Sequence, residues 1–186
     1  MGFLTDAMLD SGALRRRLND STNGLHYWDE SVGRRCFVWD TVNNRFQLVY
    51  GDTGWRDVLT SINTNWAAAA SAPALRIRRV NSSVYMEVRI QRVTASGARN
   101  AHDVIYTVPT GFKIGSFIHH GVVYGATTGV QGLLESQSDT ASVAVFFPAG
   151  GTYAAGELVY GATSWSTTDA WPATLPGVAS GTIPFN

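Results

Sequence analysis

From about residue 36 onward, apolar and polar positions alternate with a period of two. The clearest stretch runs from Leu75 to Gln91. Leu75, Ile77 and Arg79 alternate with Arg76, Arg78 and Val80; Asn81-Ser82-Ser83 turns the chain; Val84, Met86, Val88 and Ile90 then alternate with Tyr85, Glu87, Arg89 and Gln91. Successive strand side chains point to opposite faces, so this spacing predicts two strands with one apolar and one wet face. That is the pattern of an antiparallel sheet packed on one side. Cys36–Asp40 and Arg45–Tyr50 flank Thr41-Val42-Asn43-Asn44, a predicted hairpin whose Asn pair tolerates the backbone of a tight turn. Further strands are expected at Val104–Val108, within Phe112–Tyr124, at Val143–Phe147 and within Thr152–Tyr160, each bounded by Gly, Pro or both. Many short strands with turn signals every ~8 to 12 residues predict a mainly β fold, an antiparallel β-sandwich or jelly-roll-like domain. There is no repeat at solenoid or propeller spacing.

Three segments depart from this pattern. In residues 1–20, Phe3, Leu4, Ala7, Met8, Leu14 and Leu18 recur at approximate three-and-four spacing, and Arg15, Arg16 and Arg17 near the end suit a helix macrodipole. This predicts a short amphipathic helix, weakened by Gly12 and too short to be stable without a partner surface. Asn19–Asn23 then reads as a polar linker. The chain therefore divides into an attachment arm, residues 1–35, helical or extended, and a β-domain, residues 36–186. Phe3, Leu4, Met8, Leu14, Arg15, Arg16, Arg17 and Leu18 are the candidate contacts of the arm. Residues 58–73 carry an Ala-rich patch, Trp66–Ala70, compatible with either a short helix or an irregular crossing. The tail, Thr167–Asn186, holds three of the six prolines, lacks periodicity, and is expected to lie extended across a surface.

Composition agrees with a sheet protein, since 45% apolar content accompanies only 15% charged residues and eight Phe, seven Tyr and six Trp. Zero formal net charge gives no global field toward nucleic acid or an anionic membrane, so neither is an expected partner. The distribution is uneven: thirteen Arg against nine acids lie up to Arg99, and Lys113 against five acids lies beyond it, so the halves carry +4 and −4. Such asymmetry suits head-to-tail contact or docking on an acidic scaffold. Cys36 is the single cysteine, which rules out an intrachain disulfide and a thiolate zinc site. Met1–Met8 lacks a signal-peptide pattern and no stretch reaches the ~20 apolar residues of a bilayer span, so synthesis in a cytoplasm without membrane insertion is expected.

No motif for chemistry emerges. His119-His120 with His102 invites a metal reading, but adjacent strand residues face opposite ways, so the pair does not chelate one ion. Asp103, Glu135, Asp139, Glu157 and Asp169 are the carboxylates of the C-terminal half, without a framing hydrolase pattern. The Asp-Thr-Gly of Gly51–Gly54 is single, whereas aspartic-protease chemistry needs two Asp sharing a proton, so it reads as a turn. Arg76, Arg78, Arg79, Arg89 and Arg92 sit among apolar positions, which suits subunit salt bridges better than nucleic acid. No catalytic, cofactor-binding or metal residue is assigned, and no enzyme activity is expected. Tyr153, Tyr160, Trp165 and Trp171 are candidate surface contacts for a glycan, with core or interface packing as the competing role.

Phe37–Asp40 with Asn44–Asp57, Leu75–Val80, Tyr106–Phe112 and Thr167–Gly177 together resemble segments of minor tail and tail-fibre-like proteins of bacteriophages infecting actinobacteria. The resemblance implies an oligomeric virion component, a trimer by preference, bound to other virion proteins and carrying a β-sandwich at the host-facing end; it identifies no receptor, and host cell-wall glycan is a candidate partner. It supplies no catalytic residues. The chain lacks the sustained heptad or Gly-X-Y stalk of longer fibres. That leaves two alternatives: a capsid decoration or head-associated protein clamped by its N-terminal arm, and a carbohydrate-binding or hydrolytic module.

Overall fold

A computed structural model describes residues 14–17, 26–40, 42–43, 45–69, 74–95, 97–115, 119–137 and 141–183. The described chain is built of strands. In order they are β1 (Leu14–Arg17), β2 (His26–Asp29), β3 (Arg34–Asp40), β4 (Arg45–Asp52), β5 (Arg56–Asp57), β6 (Trp66–Ala68), β7 (Leu75–Val80) and β8 (Ser83–Arg92). Then follow β9 (Asp103–Thr107), β10 (His119–Gly125), β11 (Val130–Gln137), β12 (Ser142–Phe146), β13 (Leu158–Ser166) and β14 (Val178–Ala179). Every strand pairing is antiparallel, and the sheet runs β1-β2-β3-β4-β7-β8-β13-β10-β11-β12-β9, with β5, β6 and β14 attached at its margin.

The mainly β, antiparallel character matches the expectation from the sequence, but the architecture differs from two facing sheets. One hydrogen-bonded sheet curls into a half-barrel. Its far edge returns toward its beginning: Val58 N donates to Leu75 O beside β7, and a few residues later Asn63 N donates to Ile105 O in β9. Ile62 bridges Tyr106 at the same place. As far as residue 69 this stretch is thus a crossing with a 3-10 turn at Leu59–Ser61, after which β6 pairs with β8; residues 70–73 lie outside the described residues.

The inner face of the curl is the core. Leu75, Ile77, Val84, Met86, Ile90, Ile105, Val123, Leu134, Val143, Phe147 and Val159 are all buried there, as the alternation along β7 and β8 predicts. Loops plug the open side with Phe112, Ile114 and Tyr153. Two glycines admit Phe147 against the sheet: a Cβ on Gly132 would stand 2.5 Å from the Phe146 carbonyl and 2.6 Å from the Phe147 ring, and Gly125 lies beside the same ring.

Arg79 shares the inner face with Leu75 and Ile77 and is buried. Its Nε donates to Asn81 O at 2.7 Å, its Nη1 to Ala170 O at 2.9 Å and also to Gly111 O, and its Nη2 to Asp169 O at 2.9 Å. Burial holds the guanidinium pKa below its ordinary value, partly countered by the Asp169 charge. The tail is tied down at several points between Asp169 and Ala179. Trp171 packs on Gly51, donates from Nε1 to Val32 O at 2.9 Å and lies under the Arg79 guanidinium. Arg56 donates to Pro176 O and Gly177 O, and β14 pairs with β5.

Strands β1–β4 form a lobe that joins the half-barrel at the far end of β4, where Asp52 pairs with Val80. Its hairpin turn is closed by Asp40, which accepts from Val42 N, Asn43 N and the Asn43 amide. The helix predicted for the arm is corrected at Leu14, Arg15, Arg16 and Arg17, which form β1 and pair with Asp29, Trp28, Tyr27 and His26. A ladder supplied by β2 satisfies their backbone groups, and a weakly nucleated helix cannot compete with it. Phe3, Leu4, Met8 and Leu18 lie outside the described residues. The predicted boundary after residue 35 falls inside β3.

Replacing Arg79 with Leu leaves three segments' carbonyls without their donor and is expected to destabilise the fold by about 3 kcal/mol, read from denaturant midpoints. Gly132→Ala is expected to cost roughly 1–3 kcal/mol through overpacking against Phe147. Wild-type midpoints for either variant would contradict the packing described.

Candidate functional site

The four aromatic residues proposed from sequence as a glycan surface do not come together. Tyr153 is buried, stacked edge-on to Trp66 at 5.3 Å, between the guanidinium groups of Arg92 and Arg99. Trp165 is buried and donates from Nε1 to Phe112 O at 2.7 Å. Trp171 is the clamp of the tail on the lobe. Tyr160 alone faces outward, on the convex side of the sheet.

That convex face is the most open feature of the half-barrel. Cross-strand register places Arg89, Tyr160, Tyr124 and Gln131 in one row across β8, β13, β10 and β11. The next row is Arg76, Glu87, Ala162, Val122 and Leu133, and the third is Arg78, Tyr85 and Ser164. Tyr85, Val122 and Tyr124 are exposed. Because β13 carries Ala162, Ser164 and Ser166 between larger neighbours, a shallow trough follows it. One depression of about 420 Å³ is walled by Arg76, Glu87, Arg89, Tyr160 and Ala162, and a second of about 190 Å³ by Ser83, Tyr85, Ser164 and Ser166. Arg89 lies over the Tyr160 ring at 5.3 Å. Sequence alternation alone marks these positions as outward; their assembly depends on β13 pairing with β8 and β10, which are distant in sequence.

Several charged groups are committed to structure. Arg76 pairs with Glu87 at 2.6 Å, Arg78 with the buried Asp52 at 2.5 Å, and Arg92 with Asp103. Arg99 pairs with Glu157, which is fully buried and also accepts from Ala154 N. Of the arginines expected to make subunit salt bridges, Arg76, Arg78 and Arg92 pair with carboxylates within the chain, Arg79 is bound by backbone carbonyls, and Arg89 rests on the Tyr160 ring. Glu135 is bound by His102, which stacks on Phe146 at 5.0 Å. The side chains of His119 and His120 lie outside the described residues. Among the described residues, no group of three or more His, Cys, Asp or Glu is placed to hold a metal ion.

The Asp-Thr-Gly triplet ends a strand, Asp52 being the last residue of β4. Asp52 accepts from Gly54 N at 2.8 Å and from Nε and Nη2 of Arg78, while Thr53 Oγ1 accepts from Arg79 N. Burial pushes the Asp52 carboxyl up, but the Arg78 hydrogen bonds, the Gly54 N–H and the Tyr50 hydroxyl outweigh it and hold the pKa below the ordinary 3.8.

No family model, curated protein or solved structure matches the chain. The geometry alone describes the site.

A depressed folded-state pKa means that the Asp52 contribution to stability is complete above the unfolded value of 3.8 and is lost as pH falls through the lower folded value. Asp52→Asn should therefore lower stability at neutral pH and flatten the acid limb of a stability–pH curve. An unchanged acid limb would show that this pair does not govern it.

Proposed function

We propose that the chain is a structural component of a bacteriophage particle, tail-associated, which attaches through its N-terminal lobe and turns the convex face of the half-barrel toward the host. The observation that carries the reading is the contrast between the two parts. The half-barrel has a full apolar core, whereas in residues 26–49 Cys36 is the sole buried residue among those described. That lobe is nevertheless rich in aromatics. Tyr27 stacks on Phe37 at 4.8 Å, Phe46 meets Tyr27 and Trp39 edge-on, and Trp28 meets Tyr50 on the other side. A thin layer with half-buried rings gains by being covered, which fits assembly against a neighbouring subunit or another virion protein. The attachment segment on this reading extends beyond residue 35 to the whole lobe.

The segments that resemble phage tail proteins support the reading by meeting at one junction. Asp52 of one binds Arg78 of another, and Arg79 binds Gly111 of the third and Asp169 and Ala170 of the fourth. The committed carboxylates favour a structural role over hydrolysis, which requires a carboxyl pair flanking an open cleft.

Quantifying the protein in purified particles tests location: low copy number supports the tail, and copies matching the shell lattice would favour capsid decoration. Replacing Tyr27 and Phe46 with Ser should leave a folded half-barrel that no longer incorporates. Normal incorporation of that variant would remove the lobe from attachment.

A further inference from the structure

The trough along β13 has the chemistry of a ligand site. Its floor is small, Ala162 and Ser164; Tyr85 and Tyr124 stand on the flanking strands, and Tyr160 closes one end on β13 itself. Six or seven residues of strand give a groove about 20 Å long, which suits an extended chain better than a compact small molecule. Charge narrows the ligand further. On the rim, Arg76 is neutralised by Glu87 and Arg78 by Asp52, whereas Arg89 is exposed and has no carboxylate partner among the described residues. A second copy is disfavoured here, because face to face it would offer Arg89 only Glu87, which Arg76 already holds.

We propose that the β13 trough binds an anionic polysaccharide chain, with sugar rings against Tyr160 and Tyr124 and an acidic substituent on the Arg89 guanidinium. Tyrosine faces offer apolar surface to the C–H side of a sugar ring, and their hydroxyls and the serines of β13 meet its O–H groups. The planar guanidinium accepts a carboxylate or phosphate in bidentate fashion. Both sources of negative charge share this chemistry. The inference rests on the reading that the convex face looks toward the host, and adds the class of molecule recognised.

The test uses the full-length protein in affinity electrophoresis and calorimetry with three polymers: alginate as a polyuronate, poly(glycerol phosphate) as a phosphodiester chain, and dextran as a neutral control. Binding to at least one anionic polymer, weakened tenfold or more by Arg89→Gln and by Tyr160→Ala, is the expected result; which polymer binds identifies the source. Ala162→Glu, at an exposed position, should abolish binding while the circular-dichroism spectrum and denaturation midpoint stay those of the wild type. Lys113→Gln, away from the trough, should bind normally. Failure of both anionic polymers to bind, a preference for dextran, or equal loss in Lys113→Gln would overturn the proposal. Incorporation into particles is measured separately, so virion assembly and glycan recognition can fail independently.

Discussion

A guanidinium buried without a carboxylate partner holds this molecule together. Moving an ion out of water is costly, and Arg79 is tolerated inside because its fork of N–H donors meets backbone oxygens of Asn81, Gly111, Asp169 and Ala170. Those acceptors come from three regions far apart in the chain. None can be satisfied by this side chain until the hairpin after β7, the loop after β9 and the tail are in place together. The interaction therefore couples segments that strand pairing alone would leave independent. Asp169 reinforces it from the other side, accepting from Gly111 N and Lys113 N.

From that junction the two halves of the molecule take different physical forms. The half-barrel buries its inner face and holds its arginines, Arg89 apart, on internal carboxylates or backbone carbonyls, so its outer surface is largely relieved of structural duty. The lobe is the opposite case, a sheet held by ladders and ring contacts with almost nothing interior. Its position relative to the half-barrel is set by a few contacts: Asp52 with Arg78, Asn81 with Gly51, and Trp171 with Gly51 and Val32.

The strands of the half-barrel were readable because one-sided burial writes itself into alternation. Leu75 to Gln91 is the plainest case, and even Arg79 betrays itself there by occupying an apolar-phase position. What could not be read is its partnership, since its acceptors are main-chain oxygens and every residue has one. The same blindness explains the aromatics: Tyr153 and Trp165 belong to the core through contacts with Arg92, Arg99 and Phe112, all remote in sequence. Leu14–Arg17 was misread because helical spacing over a few residues is a weak signal beside the ladder offered by β2. The trough was legible only as a set of outward positions on separate strands.

The curl has a consequence for how copies meet. The β9 margin of the half-barrel is occupied by Ile62 and Asn63, so it offers little ladder for a stranger to extend. On the lobe, β4 touches β7 at a single register position, leaving most of its outward backbone unclaimed by that neighbour. Where copies meet, strand addition is therefore directed to the lobe, and the barrel stays separate.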